Sequence, residues 1–216
     1  MSSHPCYDVI KLKIAMLEYL PGRSFSEMEL ASELDTPRSK IREAFRLLAQ
    51  DKLVHIIPQR VTTICKLNLG TTIDSIFIIQ SLLAAIMKDC MPISAGVEKE
   101  ISSLEQDLIK LDQKNTIEED DFFDIDHQFY LTLCQARNFQ RLTTIIFKEK
   151  IHIDRALRLV LKQQESCKPI ISFYRQIFTG IREKNTESAL MGLCGLANTL
   201  EDYSIKAEQY FPQYFQ

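Results

Sequence analysis

The chain has 216 residues, 45% hydrophobic and 25% charged, with a formal net charge of −3. That length suits one large domain or a small one plus a medium one, and the composition is that of an ordinary soluble globular protein. Near-neutrality excludes a general polyanion binder, and no apolar run reaches the ~18 residues that a membrane span requires.

In chain order, Tyr7 to Leu20 carries Val9, Ile10, Leu12, Ile14, Ala15, Met16, Tyr19 and Leu20, which predicts a helix closed by Pro21-Gly22. Phe25 to Leu34 predicts a second, short helix. Ser26 is its N-cap with Glu29 three residues later, and Met28, Leu30, Ala31 and Leu34 form its buried side. Asp35-Thr36-Pro37 breaks it. Asp35 or Thr36 can cap the next helix, with Pro37 in the first turn, where a missing N–H costs nothing. From Pro37 to Leu48, a 3.6-residue period places Ile41, Ala44, Phe45 and Leu48 on one stripe. Arg38, Lys40, Arg42 and Arg46 lie off that stripe, against the single acid Glu43.

A cationic run alone is most simply a solvated helix face. Helix, tight turn and a second helix with a basic start is instead the helix-turn-helix arrangement, whose second helix enters the DNA major groove. Leu53–Ile57 and Val61–Cys65 are β-rich and flank Pro58-Gln59-Arg60, which predicts a hairpin wing with Arg60 near its tip. Charge agrees: residues 1–69 hold 10 Lys+Arg and 8 Asp+Glu, and the remainder 16 and 21, a mildly basic head on an acidic body.

Asn68 to Thr72 is the expected boundary between residues 1–68 and 69–216. Beyond it only helical periodicity is found, over about 72–90, 97–114, 117–135, 138–164, 170–184 and 186–208. The fold class is therefore mostly α, a winged helix-turn-helix domain followed by an all-α bundle of about six helices. Ile76 to Met87, interrupted by Gln80 and Ser81, reads as a buried helix. Glu118 to Asp121 suits the positive end of a helix dipole rather than a metal. The aromatic tail from Tyr210 to Phe215 is expected to dock on a neighbour. Six scattered cysteines without a Cys-x-x-Cys pair, and no signal peptide pattern, lead to the expectation of reduced thiols in a cytoplasm, most of them small core residues.

Pro21-Gly22, Glu29-Leu30-Ala31, Arg38, Ile41-Arg42-Glu43-Ala44, Leu47, Leu53-Val54, Pro58 and Arg60 together resemble the N-terminal domain of the GntR family of bacterial transcription regulators, over about the first 65 residues. The resemblance implies that Arg38 and Arg42 make the principal base or phosphate contacts, with Ser39 and Arg46 supporting. Two positions depart from the family pattern. Lys52 stands where a Gly usually precedes Leu-Val, and Gln59 or Val61 where the wing tip has a Gly, so that Arg60 is the residue expected to reach the groove. Lys40 completes the expected DNA-contacting set.

The helical body resembles the effector domain of the FadR subgroup, known as FCD, which holds a divalent metal with an Asp and three His. Asp126 and Phe129 match its first motif, but Tyr130, Tyr174 and a position near Leu196 stand where the His would be. His127 is about 100° out of phase on the helix and cannot substitute. The resemblance therefore implies no metal and no cofactor. Ile76 and Gln80 stand where the subgroup often has Arg and Glu, which removes a cation as well. Two readings of Ile76, Gln80, Asp126, Tyr130 and Tyr174 follow. Either they bind an apolar, lipid-like or aromatic effector, or the tyrosines fill the former site and no small effector binds.

The expected function is a sequence-specific, homodimeric DNA-binding regulator, a repressor on a palindromic operator in double-stranded DNA, controlled by a small-molecule effector and with no membrane partner. The alternative is a dimeric protein-interaction module with a winged helix. An enzyme is not expected: no nucleophile–base pair, Gly-rich phosphate loop or paired carboxylates in context occur.

Overall fold

The structure is a computed structural model that describes residues 5–57, 60–90, 93–114, 117, 119–136, 139–163 and 165–216. It opens with α1 (Pro5–Ala15), β1 (Ser24–Phe25), α2 (Glu27–Glu33), α3 (Arg38–Gln50), β2 (Val54–Ile56) and β3 (Thr62–Ile64). The three strands form an antiparallel sheet in the order β1-β3-β2, with Val54 opposite Ile64 and Phe25 opposite Thr62. This is a winged helix-turn-helix. Pro58 and Gln59 of the wing lie outside the described residues.

Several local expectations hold. Ser26 accepts from Glu29 N and the Glu29 side chain returns to Ser26 N, a complete capping box on α2. Ile41, Ala44, Phe45 and Leu48 are buried on α3. Other expectations need correction. α1 stops at Ala15, five residues early, because Leu17 takes a left-handed conformation with φ 58° and turns the chain inward. Tyr19 thereby drops against Phe25, its ring 4.7 Å away, and donates to Glu33 at 2.6 Å. Neither Asp35 nor Thr36 caps α3; Pro37 is the N-cap residue and supplies no side-chain acceptor. Met28 is 67% exposed, not buried, and leaves Leu30 to anchor α2. The two-residue β1 is too short to carry any periodic signal.

Six α-helices follow among the described residues: α4 (Leu69–Cys90), α5 (Ala95–Asp112), α6 (Glu119–Gln135), α7 (Gln140–Leu161), α8 (Lys168–Arg182) and α9 (Thr186–Tyr210). Ile117, where the third of these helices was expected to begin, precedes α6, while Glu118 of its acidic start and Asn138, expected to precede the fourth, lie outside the described residues. Asn68, expected in a linker, instead caps α4 by accepting from Thr71 N at 2.9 Å. α4 is long and apolar enough to cross a membrane by length and composition; a third of its apolar window is buried, so the buried helix expected is buried on one face only. α8 and α9 approach closely at Gly180, where a Cβ would lie 2.6 Å from Ala189 N.

The aromatic tail docks on its own chain. Leu67 N donates to Tyr214 O, Gln216 N donates to Leu67 O, and Phe215 is buried in the body core. Two apolar cores result. One is built by Ile10, Ile14, Phe25, Leu30, Ile41 and Leu48 together with Ile151 from α7; the other fills the helical body. Leu30→Ala is expected to lower unfolding free energy by about 2–5 kcal/mol in urea titration. Met28→Ala should stay within about 0.5 kcal/mol, whereas a large loss there would contradict its exposed placement.

Candidate nucleic-acid interface and buried charge cluster

Burying the apolar stripe of α3 fixes the helix's rotation and turns its basic residues to solvent. Arg38, Ser39, Lys40, Arg42 and Arg46 are all exposed, as is Arg60 on the wing. Arg38, Arg42 and Arg60 line one cleft of about 480 Å³ between the start of α3, the start of α2 and the wing. Arg46, two turns beyond Arg38, is not among the residues lining it. Lys40 lies on the other side, where it pairs with Glu43 at 3.2 Å and borders a cleft against α1. The first turn of α3 has no side-chain cap, so its positive dipole end is open beside Arg38 and Ser39.

Sequence reasoning missed Glu27. Its two carboxylate oxygens accept from Nε and Nη2 of Arg42, both at 2.7 Å, and Arg38 lies 3.6 Å away. The Arg42 hydrogen bonds hold the Glu27 carboxyl below its ordinary range. This planar two-point grip orients the guanidinium across the cleft while leaving it exposed. No local pattern announces it, because Glu27 and Arg42 meet only when α2 folds across α3.

The residues expected at the effector site do not all converge. Asp126, Tyr130 and Tyr174 meet in the body core, with Phe129 packed edge-on to Tyr174 and the Phe178 ring tilted beside it. Ile76 and Gln80 of α4 meet Tyr130, Ile153, Leu193 and Leu196 along a seam whose free space is only about 10 Å³, near the size of one water. The centre of the cluster is Lys150, which sequence reasoning also missed. Its ammonium touches Asp126, lies 2.5 Å from Asp154 Oδ1 and sits 5.1 Å from the Tyr130 ring centroid. Tyr174 donates to the other oxygen of Asp126.

Burial opposes the Lys150 charge, but Asp126 and Asp154 outweigh it and hold the ammonium above the ordinary lysine range. Burial also pushes Asp154 up to about 6, with Lys150 opposing. Tyr130 and Tyr174 are raised by burial and by Asp126. These groups do not fit a divalent cation, because the Lys150 ammonium already stands between the carboxylates, and no group of three potential ligands occurs among the described residues. His127 lies outside the cluster, 4.3 Å from the Phe147 ring. The signal for Lys150 was available: it interrupts an apolar stripe of Ile146, Ile153 and Leu157 on α7, four residues before Asp154.

The same helix docks on the head. Lys148 lies 3.2 Å from Asp51, and Ile151 enters the head's core. The buried Arg155 donates to the carbonyl of Cys65, just beyond β3, at 2.6 Å. Burial lowers the Arg155 guanidinium to about 10, and its Nε has no partner.

Residues 5–64 match the family model described as bacterial regulatory proteins of the gntR family. An HTH-type transcriptional regulator of an unstable DNA locus in Streptomyces ambofaciens is 26% identical over 82% of this chain and 74% of its own length. The HTH-type transcriptional repressor RspR of Escherichia coli K12 is also 26% identical, over 84% of this chain and 79% of its own. Among solved structures, E. coli McbR/YncC superposes with a TM-score of 0.77 at 15% identity, covering 94% of this chain and 96% of that one. A GntR regulator from Rhodococcus sp. RHA1 gives 0.70 at 18% identity, covering 94% and 95%. Those two likenesses extend the shared fold through the helical body. The relatives are named as transcriptional regulators and not as enzymes. Residues 5–64 therefore match the gntR-type helix-turn-helix domain, and most of the chain is similar to proteins named HTH-type transcriptional regulators.

Proposed function

We propose that this chain is a DNA-binding transcriptional regulator of the GntR family, a sequence-specific, cytoplasmic repressor that binds a palindromic operator as a homodimer. Residues 1–68 form the DNA-binding domain and residues 69–216 the effector-binding and dimerisation domain. The observation that carries the reading is the single cleft in which Arg38, Arg42 and Arg60 converge beside the uncapped start of α3. Arg42, held flat by Glu27, is preorganised for a two-point contact with a guanine edge or a phosphate. Arg38, Ser39 and the first-turn N–H groups meet the backbone phosphates, Arg60 reaches from the wing, and Lys40 and Arg46 add positive potential at the margins. The resemblance to the repressor RspR supports the sign of regulation.

Control by an effector enters at Ile76, Gln80, Asp126, Tyr130 and Tyr174. The seam beside α4 is lined almost entirely by apolar side chains, so its ligand is apolar or weakly polar. With about 10 Å³ of free space, such a ligand must part α4 from α9 to enter. Any shift of Tyr130 also bears on Lys150 and so on α7, which grips the head. The Asp126–Lys150–Asp154 cluster replaces a bound cation with an internal one.

Three outcomes test this reading. Arg38→Ala and Arg42→Ala should each weaken operator binding by at least about tenfold, leave the melting temperature unchanged and lower the salt slope by about one. Wild-type affinity in both variants would contradict the assignment. In a thermal-shift screen, long-chain acyl compounds should stabilise the protein, and stabilisation only by zinc with citrate-like acids would refute the apolar site. Lys150→Met should cost about 3–5 kcal/mol in urea titration, since it leaves the buried Asp126 and the partly buried Asp154 without their cation; a neutral result would remove Lys150 from the centre of the cluster.

A further inference from the structure

α4 is covered on one side only. Ile76, Ile79, Leu83, Ile86 and Met87 are buried against the body, while Phe77 is 66% and Ile78 36% exposed on the opposite face. Rings and branched chains seldom face water together unless something covers them.

From Asp74 to Lys88 the exposed positions are Asp74, Phe77, Ile78, Ser81, Ala85 and Lys88, with Gly70, Thr71 and Asp89 exposed towards the helix ends. They recur about every 3.5 residues around Ser81, the repeat of helices that wrap left-handedly at a shallow angle. The stripe also complements its own reverse. Asp74 and Lys88 stand at equal distances on either side of Ser81, and so do Phe77 and Ala85. About a two-fold axis through Ser81, Asp74 would therefore meet the partner's Lys88, and the Phe77 ring would meet the small partner's Ala85. Ser81, small and polar, would let the two backbones approach on the axis. Neither Asp74 nor Lys88 has an ion-pair partner in its own chain among the described residues.

We propose that this face of α4 is where a second copy of the chain docks, as an antiparallel pair of α4 helices crossing at Ser81. The proposal rests on the dimeric reading above and names its surface. Lipid tails would gain nothing from opposite charges placed symmetrically about a small residue, which favours a second copy over a bilayer.

Sedimentation equilibrium of the full chain tests it, with circular dichroism to check the fold. Wild type should dimerise, and Phe77→Glu should weaken the dimer at least about 100-fold while helical content is kept. Asp74→Lys should weaken it about tenfold through two like-charge contacts, and adding Lys88→Asp should restore most of that loss. If Phe77→Glu perturbs the fold, the charge pair decides, because both side chains are exposed. A wild-type dimer whose affinity is unmoved by these changes overturns the α4 face and spares the dimeric reading. A wild-type chain that binds its operator yet stays monomeric overturns both, as does one that remains monomeric and floats with phosphatidylcholine–phosphatidylglycerol vesicles.

Discussion

The account depends on one packing constraint, the burial of Ile41, Ala44, Phe45 and Leu48 beneath α3. At 100° per residue, a stripe at these positions admits one rotational setting, and that setting turns Arg38, Arg42 and Arg46 outward. Four apolar side chains contribute several kcal/mol, at about 1.5–3 kcal/mol for each large one, against a rotation that would expose them. Electrostatics then refines what packing has fixed. The Glu27 carboxylate lies across the start of α3 and lowers the entropy that Arg42 would lose on meeting a ligand.

A second constraint joins the two cores. α7 contributes Ile151 to the head, and Ile146, Ile153 and Val160 to the body. Its charged residues follow the same division: Lys150 and Asp154 face the buried cluster, while Lys148 and Arg155 reach Asp51 and the carbonyl of Cys65. Buried charges of this kind add little net stability, because desolvation offsets attraction. Their consequence is geometric. A helix held by ions on one face and by the head on another cannot shift on one side alone.

Much of this was legible before folding. The stripe of α3, the capping box of α2, the hairpin and six helices in the body all rest on local periodicity or capping chemistry, and all are present. What stayed hidden was tertiary. The two-residue β1 exists only because β3 lies beside it, and Glu27 reaches Arg42 only through the turn between helices. Met28 occupies an apolar phase of α2 that nothing covers, so period alone misplaced it. Lys150 left a trace, a cation in an apolar stripe, but its partners Asp126 and Tyr174 come from other helices. The tail was expected to dock on a neighbour; that it would turn back onto Leu67, burying Phe215 and leaving Tyr210 exposed, lay beyond any local signal.

The most direct measurement is selection from a randomised duplex library by the purified full-length protein, with binding of the enriched sequence followed across salt concentration. The account predicts a short inverted repeat whose affinity falls steeply as salt rises. No enriched sequence, or retention that salt leaves unchanged, would contradict it.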